Sequence, residues 1–406
     1  MEKEVVILLE ELGGGVARVV SVLSEKLVKE GFKVYIIPTL QPKEEILSDQ
    51  VSFPESGVSL YYIKNDKLDR GNVELSKKLI TASAKIRIRI STKITGKASE
   101  KAVIQKRYGE KLYVRVQLFK RFLTNHPDAV ILAFANQPAW ITSLTLKIGR
   151  FKNKFIFSER SNPIVEASNR TALAFINRMF SRTDAMVFQT PDAMEWYAEK
   201  IKINGKVIFN PVKQDLPEPY DGVRKKSVVN FCRIDSPKNL PLLVEAFSKI
   251  HNEHPEYELY IYGDDAGHTP EHTVRFKQSI NNSGCEQAIH ILPARPDVHS
   301  VVNDFGMFVS SSDYEGMSNS MLEAMAMGLP TVCTDCPIGG ARAIIRDHEN
   351  GILTPVGDAD ALYSAMKEIA EDPQLARKLS ENGRKIREQL SPDRIAEEWI
   401  SLIESL

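Results

Sequence analysis

Residues 4–12 read EVVILLEEL, a run of β-branched and leucine residues, followed at once by GGG and then VARVVSVLSEKLVKEGF. Apolar positions in the last stretch recur every three or four residues, so a buried strand passes through a glycine turn into an amphipathic helix. The same alternation continues. KVYIIP, DAVILAF, KFIFSE and AMVFQT read as strands in the first half; SVVNFCRI, YELYIYG, IHIL, FGMFVSS and PTVCT follow in the second, with a helix predicted over about 241–251. Short apolar strands separated by helices constrain the fold to α/β with parallel sheets, because parallel neighbours need a crossover between them. A chain of 406 residues exceeds one ordinary core. Two Rossmann-like domains facing across a cleft are therefore expected, over residues 1–212 and 213–390, meeting near 211–222. Residues 391–406 are expected to form a terminal helix. Ser391 is placed to cap it, Pro392 to start it, and Ile395, Trp399, Leu402 and Ile403 form a stripe that suits packing back on the first domain.

Composition excludes other classes. A content of 43% hydrophobic and 26% charged residues is globular, and no run approaches the roughly 18 apolar residues of a membrane span. The acids beside the first apolar run make it a strand rather than a signal peptide. Four scattered cysteines suit a reducing cytoplasm. Net charge is zero but unevenly spread: residues 1–212 hold 34 Lys and Arg against 22 Asp and Glu. Most of that excess lies in residues 77–121, where 14 basic residues face only Glu100 and Glu110. KKLITASAKIRIRISTKITGK, within it, reads either as a solvated face or as a patch resting on an anionic membrane surface with isoleucines dipping into it. Sparse aromatics there argue against nucleic acid.

The stretch SSSDYEGMSNSMLEAMAMGLP places Glu315 and Glu323 eight residues apart, the second inside an apolar helix. Ser320 and Glu323 fit a capping box, and Glu315 fits a solvated loop acid; that is one reading. The other starts from the cost of burying a carboxylate without donors. Vicinal sugar hydroxyls supply two donors, while the amides of Gly316, Met317, Ser318 and Asn319 at a helix start suit an anion. Acids for hydroxyls beside amides for phosphate describe a nucleotide-sugar site. In NFCRIDSPKNLPLLVEAF, Arg233 and Lys238 lie between a strand and a helix, either as solvated cations or as a clamp that neutralises a diphosphate.

Together these segments resemble glycosyltransferase family 4, retaining enzymes of the GT-B fold. EGMSNSMLEAMAMGLPTVCTD is similar to its E-x(7)-E signature and CRIDSPKNLPLLVEAF to its Arg-x(4)-Lys-Asn segment. ELGGGVARVVSVLSEKLVKEGFKV resembles its N-terminal glycine loop, and NGILTPVGDADAL its closing loop and helix. The resemblance implies that Arg233 and Lys238 hold the donor diphosphate, that Glu323 binds the ribose, and that Glu315, with the amides after it, binds the donor sugar. It implies further that Gly263 and the backbone at Pro293, Ala294 and Arg295 line the nucleotide pocket, and that Gly13, Gly14 and Gly15 let backbone approach phosphate and acceptor. SERSNP is similar to the SERNDP of relatives that build surface polysaccharides, matching at Glu159 and Arg160, which implies a UDP-linked hexose or N-acetylhexosamine. Many relatives carry a His after the fourth strand; DAVILAFANQP has none, and Asn136 stands in its place, while His126 in NHPD reads as a turn.

The expected activity is hexosyl transfer from a UDP-sugar to a polyprenyl-diphosphate-linked or other saccharide acceptor, at the inner face of a cell membrane. No metal cofactor is expected. Asp358-Ala359-Asp360 spells a metal motif of another glycosyltransferase fold but sits where a helix cap is needed. Cys333-Thr334-Asp335-Cys336 lacks a second ligand pair for zinc. A UDP-sugar 2-epimerase and a non-catalytic nucleotide-sugar-binding partner subunit are the rival readings.

Overall fold

The computed structural model describes residues 3–39, 53–54, 56–61, 112, 114–160, 163–166, 176–177, 180–203, 205–265 and 270–406. It divides into two compact units. One comprises Met1–Ser161, Ala167–Val187 and Ile400–Leu406, the other Asn162–Glu166 and Phe188–Trp399. Most of the basic segment 77–121 lies outside the described residues. Within its end, residues 114–121 are helical and bury Val116 and Phe119.

In the first unit, β1 (Glu4–Leu9) leads into α1 (Gly14–Lys29), then β2 (Lys33–Pro38), β3 (Val58–Leu60), β4 (Val130–Phe134), α2 (Asn136–Gly149), β5 (Phe155–Ser158) and β6 (Ala185–Phe188). Among the described residues seven strands form its sheet, and the first six of them, in the order β3-β2-β1-β4-β5-β6, run parallel. Val5 to Leu9 of the central strand are wholly buried, which is why it reads as a continuous apolar run. Helix α1 covers the sheet with Val19, Val20, Leu23 and Leu27. Gly14 has φ +74, a left-handed turn that a side chain would strain. His126 belongs to the amino edge of this sheet, its Nδ1 2.9 Å from Glu4 Oε2 and its ring stacked on Phe122.

The second unit holds α3 (Pro191–Ile201), β7 (Lys206–Val207), β8 (Ser227–Phe231), α4 (Leu240–Glu253), β9 (Glu258–Tyr262), α5 (Pro270–Asn281), β10 (Ile289–Leu292), α6 (Val298–Val302), β11 (Met307–Ser310), α7 (Asn319–Ala326), β12 (Thr331–Thr334), β13 (Ile352–Thr354), α8 (Ala359–Glu371) and α9 (Pro373–Gly383). Its sheet runs β10-β9-β8-β11-β12-β13, all parallel. The winding proceeds from β8 outward to β10 on one side and from β11 to β13 on the other. The order therefore reverses between β8 and β11, the switch point at whose strand ends open α/β sheets bind their ligands. Each unit is thus a parallel-sheet α/β domain, as expected.

The division falls between Val187 and Phe188 rather than near 211–222. The reason is polar and local. Gln189, Asp192 and Asn210 all bond within the second unit, Asp192 with Arg342 and Asn210 with Asn319. Helix α10 (Pro392–Glu404) starts where predicted, the Ser391 hydroxyl accepting from Arg394 N at 3.4 Å. It buries Ile395, Trp399 and Ile403, while Leu402 is partly exposed. Its last residues cluster with the first unit, where Lys3 Nζ donates to Glu404 at 2.6 Å.

Candidate functional site

In the second unit the predicted residues gather on the carboxyl edge of the sheet. The loop from β8 to α4 and the loop from β11 to α7 flank the switch point and are tied to each other at several places. Asp313 N donates to Pro237 O at 2.8 Å, Asn239 Nδ2 to Asp313 Oδ1 at 2.7 Å, and the Ser311 hydroxyl to Lys238 O at 2.9 Å. Asn239 turns the first loop with φ 40, a conformation Asn tolerates. This lattice brings Lys238 Nζ onto Glu315 Oε2 as an ion pair whose side chains are only 16% and 27% exposed. Burial disfavours the ammonium, yet the Glu315 carboxylate outweighs it and holds Lys238 above its ordinary value. Arg233 stands exposed on the same loop, with no ion pair among the described residues. One cation is thus held by an acid and the other faces solvent, an arrangement open to an incoming anion.

Helix α7 begins two residues earlier than a Ser320 cap would require. Ser318 is the N-cap, its hydroxyl accepting from Met321 N at 3.4 Å, and the Ser320 hydroxyl instead donates to Phe231 O at 2.7 Å. The capping-box reading of Glu323 therefore fails: the acid lies a turn into the helix, too far along to reach back to the cap. It is buried, and its Oε2 lies 2.8 Å from Nε2 of an equally buried histidine, His299 of α6. His299 also meets Phe231 edge-on at 5.6 Å.

The other predicted donor-side residues line the same edge. Gly263 follows β9 so close to the β8 loop that a Cβ there would stand 1.8 Å from Cys232 O. Pro293, Ala294 and Arg295 follow β10 in the open; Ala294 N donates to Asp264 Oδ1 at 3.2 Å, and Arg295 pairs with Asp297 at 2.6 Å. Gly316 to Asn319 lead into α7. The Asn319 carboxamide oxygen accepts from Asn210 at 2.8 Å, and Asn210 in turn accepts from Gln189 at 3.0 Å. A Cβ on Gly340 would fall 1.5 Å from Gly316 O, so the loop after β12 braces the loop that carries Glu315. Ile338 beside it adopts φ +74, unusual for a β-branched residue.

The remaining predicted residues belong to the first unit, at its own carboxyl edge. Gly13, Gly14 and Gly15 follow β1, Asn136 follows β4, and Glu159 and Arg160 follow β5; these three strands are neighbours. Asn136 starts α2 just after Ala135, whose φ of 72 is strained for a side-chain-bearing residue. Glu159 is buried, its N donating to Val187 O at 2.8 Å. Arg160 donates to the Ser158 hydroxyl at 2.8 Å and stacks over Phe134 at 5.0 Å. Burial pulls its guanidinium down to about 10, with Glu159 opposing.

The two sequence decoys take structural roles. Asp358 caps α8, accepting from Ala361 N at 2.9 Å, and Asp360 pairs with Lys249 at 2.6 Å. Cys333 and Cys336 are buried free thiols, and Cys336 Sγ donates to Ser312 O at 3.0 Å. Sequence reasoning missed His299, Asn210, Gln189 and Gly340. A signal existed for the first: a buried carboxylate demands a donor, and VHSVV is one of few apolar stretches containing a histidine.

Residues 218–386 match the family model described as glycosyl transferases group 1. EpsD of Bacillus subtilis is 30% identical over 195 residues, 48% of this chain and 49% of EpsD, so the chain spans about half of that relative. A Campylobacter jejuni relative is named N-acetylgalactosamine-N,N'-diacetylbacillosaminyl-diphospho-undecaprenol 4-alpha-N-acetylgalactosaminyltransferase. It is 22% identical over 282 residues, 66% of this chain and 74% of its own. The crystal structure of Anabaena HepE in complex with UDP and glucose superposes with a TM-score of 0.72 at 16% identity, covering 100% of both chains. That likeness shows the fold, which is GT-B.

Proposed function

We propose that this chain, a member of the glycosyltransferase superfamily by its group 1 domain, moves a hexose or N-acetylhexosamine from a UDP-sugar to a saccharide acceptor on a lipid diphosphate, with retention at the anomeric carbon. The observation that carries the reading is the pairing of Lys238 with Glu315 beside exposed Arg233, with buried Glu323 one helix turn further on. Cations on one strand-end loop and a carboxylate on the helix after the next match a nucleoside diphosphate, whose phosphates need charge and whose ribose needs acceptors. Arg233 and Lys238 bind the diphosphate and stabilise the charge that grows as it departs. The amide groups of Gly316 to Asn319 add donors at a helix start. Glu315, held by Lys238, meets the donor sugar.

Chemically, the bond from the anomeric carbon to the phosphate oxygen breaks as the acceptor oxygen bonds the same face. The acceptor's proton passes to the departing phosphate oxygen, leaving UDP and the new glycoside. The chain's own contribution is positioning and electrostatics, with Asn136, Glu159 and Arg160 assigned to the acceptor. HepE was crystallised with UDP and glucose, and the Campylobacter relative is named for a diphospho-undecaprenol substrate; both support this class of donor and acceptor. The basic segment 77–121 supports residence on the anionic inner surface of a membrane. Among the described residues no helix is long and apolar enough to cross one.

The test is a screen of UDP- and GDP-sugars for binding and hydrolysis by wild type and Glu323→Ala. One UDP-sugar is expected to bind and to weaken by about 1–3 kcal/mol in the variant, the loss of hydrogen bonds to a charged acceptor. Equal binding by both proteins, or UDP release that an added saccharide acceptor does not increase, would overturn the proposal.

A further inference from the structure

We infer that His299 is a positioning residue for nucleotide recognition: it locks the Glu323 carboxylate in the single orientation in which that group meets the ribose. The inference rests on the ribose reading of Glu323 and extends it to a residue of a different loop. Glu323 rides on α7, which follows β11; His299 rides on the short α6, which follows β10. Their side chains are 6% and 8% exposed and their polar atoms 2.8 Å apart. Nδ1 of His299 is buried and has no hydrogen-bond partner among the described residues. The imidazole therefore directs its one side-chain hydrogen bond at Glu323 and at nothing else among the described residues.

The rest of the ring's environment fixes it. Phe231, at the end of β8, meets His299 edge-on at 5.6 Å and packs on Phe308 at 5.0 Å. The carbonyl of Phe231 accepts from Ser320, three residues before Glu323. Three strand ends thus converge on one carboxylate: β8 through Phe231, β10 through His299, β11 through α7. A glutamate has three side-chain torsions, and a ligand that needs two lone pairs in one plane would otherwise have to order them on binding. A rigid imidazole donor removes that freedom beforehand. A purely structural histidine would satisfy the buried acid equally well, but its loss would weaken every ligand of the site alike. The positioning role predicts loss confined to the hydroxyl contact.

The experiment compares UDP with 2′-deoxy-UDP and 3′-deoxy-UDP by isothermal titration calorimetry on the full chain, in wild type, His299→Gln, His299→Asn and His299→Leu. Wild type is expected to prefer UDP over at least one deoxy analogue by about ten- to a hundredfold, from the worth of a hydrogen bond to a charged group. His299→Gln, whose carboxamide N–H reaches the place of Nε2, should keep most of that preference and a donor KM near wild type. His299→Asn is too short to reach it. In this variant and in His299→Leu the preference should fall to about threefold or less, with KM for the donor rising and kcat nearly unchanged. If wild type discriminates and the Asn variant still does so fully, or if UDP and deoxy-UDP weaken together, the positioning role is wrong while the ribose reading stands. If wild type itself does not discriminate, the ribose reading of Glu323 fails and the inference falls with it.

Discussion

Lys238 and Glu315 form the ion pair at the centre of the site, and their energetic coupling follows from their burial. The side chains are 16% and 27% exposed, so neither charge is well hydrated. Lys238→Met keeps the length and apolar volume of the side chain but strands Glu315. Orphaning one member of a fully buried pair costs about 3–5 kcal/mol. Glu315 retains roughly a quarter of its exposure and recovers some hydration, so about 1.5–3 kcal/mol is expected here. Glu315→Met strands the ammonium in the same way. The double variant has no orphan charge, and its cost should fall below the sum of the singles by about 1–3 kcal/mol. The three tryptophans allow a clean assay: in a Trp140→Phe background, Trp196 and Trp399 both report on the second unit. Urea unfolding followed by fluorescence then gives the four free energies of the cycle. Glu315 raises the Lys238 value above 10.5, so the pair's contribution is fully present below that pH and is lost as pH rises beyond it. Coupling should be constant from neutral pH to about 10 and then decline. Additivity within about 0.5 kcal/mol, or coupling indifferent to high pH, would refute the reasoning.

Gly340→Ala forces a Cβ to 1.5 Å from Gly316 O, so backbone must shift. A loss of about 2 kcal/mol or more, seen as a lower Tm, should come with weaker donor binding, because the displaced loop carries Glu315. Burial holds the Cys232 and Cys336 thiols up at about 11 and Cys333 higher still. In the native protein these three should resist a thiol-reactive disulfide at pH 8 and react on unfolding; rapid native labelling would contradict the burial argument. Burial works against the charge of His348, but the carboxylates of Asp347 and Glu368 raise its value above 6.5. Its stabilising pairings should be complete below pH 6.5 and fade as pH rises past it, a dependence that His348→Gln removes from thermal unfolding curves.

Local chemistry made much of the molecule readable. EVVILLEEL became a buried central strand because a strand covered on both faces must be apolar throughout, and Gly14 turns the chain out of it at φ +74. Ser391 and Asp358 cap the helices they were expected to cap, since a cap is a contact between residues three apart. The same rule misled at Ser320, because a serine two residues earlier captured the helix start while Ser320 turned to a strand carbonyl. The division between units was also misplaced. Gln189 and Asn210 look like strand-end and linker residues, yet their hydrogen bonds lead into the loop that carries Asn319.

The amino-acid sequence by itself determined the order of strands and helices, the two parallel sheets and the ends of the strands on which Arg233, Lys238, Glu315 and Glu323 stand. Each of these depends on periodicity and on neighbours within a few residues. Which groups touch was decided only by the tertiary structure. Lys238 meets Glu315 across 77 residues and His299 meets Glu323 across 24, through loops on different strands. No local pattern encodes such encounters, because they arise where the order of a parallel sheet reverses and separate strand ends are held side by side.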